Sequence, residues 1–210
     1  MESPNHLISG FHSRGKLPHI KRADASYFVT FRLADALPVS VIARLKTERE
    51  HILQHALAAK RPLTWAEEQQ LYRWYATQVD AQLDRGHGAC WLKRPEIAKL
   101  VADALLFFQH QRYELPTWVV MPNHVHAVVK PAPTFELSAI LHSWKSFTAH
   151  AANKLLPKSE GSFWQTEAYD HWIRDDAERA ALQHYIRHNP VTAGLCTRPE
   201  DWPWSSAYQA

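Results

Sequence analysis

His124-Val125-His126 places two imidazoles two residues apart inside the apolar run Val119-Val-Met-Pro-Asn-His-Val-His-Ala-Val-Val129. Alternate side chains of an extended strand share a face, so both rings project together. Neutral imidazole suits several divalent metals, but two ligands rarely hold one, and a metal here needs further donors from elsewhere in the chain. In Gln183-His-Tyr-Ile-Arg-His-Asn189, Tyr185 and Asn189 stand four residues apart on an expected helix and therefore share its face. If that face meets the histidine strand, Asn189 supplies an oxygen ligand and Tyr185 a hydroxyl nucleophile. The plainer readings are histidines hydrogen-bonded in a wet groove, a core tyrosine, and an asparagine that stops a helix.

These groups need elements to hold them. Residues 26–33, Ser-Tyr-Phe-Val-Thr-Phe-Arg-Leu, are β-branched and aromatic and read as the first core strand. Helical spacing then runs over 40–60 and again over 64–85, broken by Arg61-Pro62-Leu63, which predicts a helical hairpin. Thr64 with Glu67 has the form of a capping box and fixes the second start. After Pro95, residues 96–112 predict an amphipathic helix. Residues 115–121 and 124–130 predict two strands joined at Pro122-Asn123. A helix over 137–156 comes next, then a strand within 163–174. A last helix is capped by Asp175 or Asp176, runs through Asn189 and is ended by Pro190.

Without the hairpin the order is strand, helix, strand, strand, helix, strand, helix. That is the split βαβ arrangement of an α+β, ferredoxin-like (RRM-like) antiparallel sheet. Two helices would cover one face and leave the other available, and the last helix would be the catalytic one. Residues 1–25 read as a basic irregular arm, and 26–210 as a single catalytic domain with a helical insertion at about 40–88.

At 210 residues and 46% hydrophobic, the chain can bury one good core. No apolar run approaches the roughly 20 residues a membrane helix needs, and the N-terminus lacks a signal-peptide layout, so no membrane partner and a cytoplasmic location are expected. Cys90 and Cys196 make neither a zinc motif nor a disulfide framework. A net charge of +3 with 14 His and 9 Trp leaves mildly basic, aromatic surfaces of the kind that suit single-stranded nucleic acid.

Met121-Pro-Asn-His-Val-His-Ala-Val-Val129, then Phe163-Trp164-Gln165, then Tyr185-Ile-Arg-His-Asn-Pro-Val-Thr-Ala-Gly-Leu195 and Trp202-Pro-Trp-Ser-Ser206 resemble the REP-associated tyrosine transposases. These are single-tyrosine, insertion-sequence transposase-like members of the His-hydrophobic-His endonucleases, and the similarity extends from about residue 26 to 208. The resemblance implies a ferredoxin-like domain that nicks single-stranded DNA and joins itself to the 5′ phosphate through a phosphotyrosine intermediate. It assigns His124 and His126 to the metal and Tyr185 to the nucleophile. Asn189 takes the polar metal-ligand position, where insertion-sequence relatives carry the longer Gln. The implied cofactor is a divalent metal, Mg2+ or Mn2+, although the ligand set itself would also accept zinc. The implied partner is a single-stranded DNA hairpin from repetitive extragenic palindromes, and the chain would act as a monomer or a homodimer.

Candidate DNA-binding residues, as phosphate-positioning groups, are Arg14, Lys16, Arg22, Arg32, Lys145 and Arg174. A tyrosine titrates near 10 in isolation, so attack at neutral pH needs help from the metal, a water, His184 or His188. Two other readings compete. A binding module of the same fold would coat single strands without cutting, through sheet aromatics such as Tyr27, Phe28 and Trp118. A metallohydrolase would use the histidines to activate water.

Overall fold

The computed structural model describes residues 10–13, 18–21, 24–61, 63–157 and 161–209. Two short strands, β1 (Gly10–Ser13) and β2 (Pro18–Lys21), pair antiparallel within the stretch expected to be irregular. The central elements begin with β3 (Ser26–Arg32), α1 (Val39–Ala58), α2 (Trp65–Trp74), a π-helical turn at Tyr75–Val79 and α3 (Asp80–Leu83). After them come α4 (Pro95–Leu106), β4 (Tyr113–Val120), β5 (His124–Pro131), α5 (Leu137–Leu155), β6 (Tyr169–Ile173) and α6 (Asp176–Thr192).

The main sheet has the order β4-β5-β3-β6, with every neighbouring pair antiparallel, which is the expected ferredoxin-like arrangement. β3 lies between β5 and β6 although it is far from both in sequence, with Thr30 96 positions before its neighbour His126. Its alternation separates two faces. Phe31 packs against Trp144 of α5, on the side where α4 and α5 bury Ile97, Val101, Leu105, Ile140 and Leu141. Phe28 points the other way and stacks on His126, with the ring of Tyr185 6.2 Å from its own. The second face is therefore covered by α6 rather than left available.

Three boundaries differ from expectation. The α4 helix ends at Leu106 instead of near 112, and the chain turns through His110, whose φ of 64° lies in the left-handed region. The expected strand within 163–174 narrows to β6, because Trp164 makes a separate bridge to Leu33 and donates its indole N–H to Thr148 Oγ1 at 2.8 Å. Pro190 does not end α6. It sits in the last turn, where few intrahelical bonds remain to be lost, and Ala193 N–H closes the helix on the Asn189 carbonyl at 2.9 Å.

The C-terminal Trp-Pro-Trp-Ser-Ser stretch runs along the outer edge of β4. Val120 N–H donates to the Trp204 carbonyl, and Ser206 N–H to that of Trp118. An edge that would otherwise offer unpaired backbone groups is thereby covered.

Candidate active site

The strand register builds the site first. Thr30 stands opposite His126, and Arg32 opposite His124, so β3 and β5 present these four residues on one face. Both histidines are fully buried, with ring centroids 4.6 Å apart. Their Nδ1 atoms are engaged: that of His126 lies 2.7 Å from Thr30 Oγ1, and that of His124 2.7 Å from Asn123 Oδ1. The carboxamide oxygen of Asn123 can only accept, so His124 carries its proton on Nδ1 and turns a lone pair outward on Nε2.

Across from them, α6 supplies Tyr185 and Asn189 on successive turns of one face, as their spacing requires. The Tyr185 ring lies 5.5 Å from that of His126. Asn189 is buried, and its Nδ2 donates to Asp84 Oδ1 at 3.4 Å, which directs Oδ1 away from that bond. Among the described residues, three buried side-chain atoms here find no hydrogen-bond partner: His124 Nε2, His126 Nε2 and Asn189 Oδ1. Leaving such atoms unsatisfied is costly, and it is the pattern expected of groups reserved for a ligand. Two imidazole nitrogens and an amide oxygen are a donor set that suits a divalent cation. Among the described residues, no three His, Cys, Asp or Glu side chains lie close enough to hold a metal, and the amide oxygen of Asn189 is the further donor that the geometry brings to the two histidines.

Burial sets the charge state of this pocket. It pushes the imidazole of His124 down to about 3, with the Asn189 side chain opposing, and that of His126 well below its ordinary value with the neighbouring His124 adding to the effect. Both rings are therefore neutral, the form that binds a metal.

A residue that sequence reasoning missed completes the arrangement. Tyr185 donates its hydroxyl to Asp80 Oδ2 at 2.7 Å, and Asp80 is only 2% exposed. Asp80 opens α3, at the end of the helical insertion. Burial pushes its carboxyl up to about 8, with Asp84 nearby acting in the same direction and the Tyr185 bond opposing it. Asp84 is raised by burial to about 6. The sequence carried no local signal for Asp80, which lies 105 positions before its partner.

His184 and His188, candidates for assisting the tyrosine, stack on each other at 3.9 Å along the outer side of α6, where His184 is exposed and His188 Nδ1 bonds the His184 carbonyl. Of the phosphate-positioning candidates, Arg14, Lys16 and Arg22 lie outside the described residues. Arg32 stands at the end of β3, in register with His124. Lys145 Nζ donates to the carbonyls of Gln165 and Thr166 at 2.6 and 2.7 Å and so fastens the segment before β6. Arg174 is held by Glu178 through Nη2 and Nε at 2.6 and 3.0 Å. The last two are committed to internal contacts. Tyr27, Phe28 and Trp118 are all buried.

Residues 96–189 match the family model described as transposase IS200-like. A curated Haemophilus influenzae protein, provisionally named REP-associated tyrosine transposase, is 28% identical over 115 residues, which is 48% of this chain and 62% of that one. The match thus spans less than two thirds of the relative's length. Among solved structures, a REP-associated tyrosine transposase bound to a REP hairpin gives a TM-score of 0.49 at 19% identity, covering 88% of this chain and 77% of the other. A provisionally named transposase of Deinococcus radiodurans gives 0.32 at 14%, covering 78% and 89%. Residues 96–189, the stretch that carries both histidines, Tyr185 and Asn189, are thus similar to the IS200-like transposases.

Proposed function

We propose that the protein is a metal-dependent, single-stranded DNA endonuclease and strand transferase that cleaves next to hairpins through a 5′-phosphotyrosine on Tyr185. The observation that carries this reading is the convergence of three unpartnered buried acceptors, His124 Nε2, His126 Nε2 and Asn189 Oδ1, beside the Tyr185 ring. These three residues would hold Mg2+ or Mn2+, which supplies charge stabilisation to the scissile phosphate when bound. Tyr185 Oη attacks phosphorus, the 3′ oxygen departs, and the DNA 5′ end stays covalently on the enzyme. Because the phosphotyrosine keeps the energy of the broken phosphodiester, a later hydroxyl can rejoin the strand without ATP. The name of the Haemophilus influenzae relative supports repetitive extragenic palindromes as the source of the hairpin.

A binding module of the same fold fits less well. It would stack bases on Tyr27, Phe28 and Trp118, yet these are 5%, 1% and 7% exposed.

The test uses labelled single-stranded hairpins from the DNA flanking the gene, incubated with magnesium or manganese and resolved on a denaturing gel. Wild type is expected to form an adduct that retains the 5′ phosphate. Tyr185→Phe should lose the adduct altogether while binding the hairpin as tightly as wild type. An adduct that persists in Tyr185→Phe overturns the nucleophile.

A further inference from the structure

The helical insertion ends in a carboxylate that touches the tyrosine oxygen. Asp80 Oδ2 accepts the Tyr185 hydroxyl at 2.7 Å, and Asp80 Oδ1 is buried with no partner among the described residues. A carboxylate in that state is a poor structural element: a buried acid with an unsatisfied oxygen costs stability that an apolar side chain of similar size would not. Its position is nevertheless strongly determined. The π-helical turn at Tyr75–Val79 ends at Asp80, and the one-residue offset it introduces rotates α3 relative to a continuous α-helix. Downstream, Asn123 Nδ2 donates to the Leu83 and His87 carbonyls, both at 3.1 Å, and Ala89 N–H donates to Asp35 Oδ2 at 2.7 Å. Gly88, with φ of +82°, lies so close to the Asp35 backbone that a Cβ there would sit 2.5 Å from its carbonyl oxygen. The end of the insertion is thus fastened to the histidine strand and to the chain just after β3. None of it falls within the residues that match the family model.

We propose that Asp80 is a catalytic residue that orients Tyr185 and accepts its proton as the tyrosine attacks the phosphodiester, which makes the helical insertion part of the reaction machinery. This rests on the reading of Tyr185 as the nucleophile. The Oη–H bond breaks and its proton moves to Asp80 Oδ2, while the Oη–P bond forms and the P–O3′ bond breaks. The departing 3′ oxygen takes a proton from solvent water. In rejoining, Asp80 returns its proton to Oη as the DNA hydroxyl displaces it.

The titratable groups that act on Asp80 are Tyr185 from α6 and Asp84 from the turn after α3, and the tyrosine ring in turn lies 5.5 Å from that of the neutral His126. Burial and the Asp84 charge place the Asp80 carboxyl near 8, close to the working pH a general base requires.

The experiment measures adduct formation by the full chain on a labelled single-stranded hairpin from the gene's flanking DNA, with saturating manganese chloride, from pH 6 to 10. Asp80→Asn is expected to slow the adduct by about 100-fold at pH 7 without changing hairpin affinity. Its rate should then climb about tenfold per pH unit as hydroxide replaces the base, and formate should restore part of the rate to Asp80→Ala. An Asp80→Asn rate within twofold of wild type overturns the proposal, as does a loss that is the same at every pH and not relieved by formate. Wild type supplies a measurement that does not depend on how the variants fold. Its rate should level off at or below about pH 8, since a bound cation lowers a neighbouring carboxyl, and a tenfold rise per unit continuing to pH 10, as from a tyrosine ionising unaided, also overturns the proposal. If wild type forms no adduct at all, the reading of Tyr185 falls first and this one with it, an outcome distinct from a wild-type adduct that Asp80→Asn matches.

Discussion

Asn123 joins two parts of the molecule with one carboxamide. Its oxygen fixes His124 by accepting from Nδ1, while its nitrogen donates to the Leu83 and His87 carbonyls and holds the end of the insertion. In the sequence it reads only as a turn former beside Pro122. Thr30 plays the corresponding part for His126. Replacing it by valine, equal in shape but unable to bond Nδ1, should weaken Mn2+ binding by about 10–100-fold, because outer hydrogen bonds orient metal-ligating imidazoles. Titration calorimetry measures this, and an unchanged affinity would show that packing against Phe28 alone aims the ring. Asp80 makes a second residue-level prediction, for chelator-treated protein. Folded, its carboxyl keeps a proton up to about pH 8, whereas the unfolded chain releases it near 3.8. Between those values the unfolded state binds fewer protons, so stability falls as pH rises, by up to about 1.4 kcal/mol per unit from this group. His124, depressed to about 3, and His126, also depressed, act in the opposite sense mainly below their ordinary value of 6.5, Lys145, lowered to about 8, does so mainly above pH 8, and the end of the Asp84 titration, raised to about 6, adds to the fall. Melting temperature should therefore drop from pH 6.5 to 8, and Asp80→Asn should flatten that slope. That His124 pairs with His126, and Tyr185 with Asn189, on one face is legible because two- and four-residue spacings are read within one element. Asp80, Thr30 and Asn123 are not, because their roles exist only across elements.

At the scale of elements, α6 is the part whose placement the site depends on most. Asp175 caps it by accepting from Glu178 N–H at 2.8 Å, and Glu178 in turn binds His171 of β6 and Arg174. Asp175→Ala should cost about 1 kcal/mol, which for a chain of this size lowers the melting temperature by roughly 2–4 °C. A thermal melt monitored by circular dichroism reads that shift directly. The cap is visible in the sequence as Asp175-Asp176, and so is the Thr64 and Glu67 capping box, in which Thr64 N–H donates to Glu67 Oε2 at 2.7 Å. The end of the same helix is misread at Pro190, since a proline signals a stop only where the bonds it removes matter. The end of α4 is misread for another reason. Phe108 keeps the helical spacing of apolar residues, yet its ring is used outside the helix, under the Arg112 guanidinium at 3.4 Å.

Over the whole molecule, the sheet order can be read from the sequence of element types, because short connections and antiparallel pairing leave few ways to arrange four strands and two helices. The function of the insertion cannot, since a helical hairpin looks the same from its spacing whether or not its end reaches a tyrosine. The helix-covered second face escapes sequence reading for a similar reason: the amphipathic stripe of α6 reports that it packs, but not against which side of the sheet. No helix among the described residues is long and apolar enough to cross a membrane.

The position of β3 between β5 and β6 has a further result if the chain is cut once, at the exposed turn between Lys60 and Arg61. The smaller piece would carry β3, with Phe28 and Thr30, while the larger keeps both histidines, Asp80, Tyr185 and Asn189. Clasped by a strand on each side, the smaller piece should stay bound, so the nicked protein is expected to elute as one species in gel filtration and part only under denaturant. The larger piece, freed of its companion, would have lost the wall that aims His126, and adding the companion back should restore affinity for the proposed metal: the molecule would behave as a two-part assembly whose reunion is reported by Mn2+ binding.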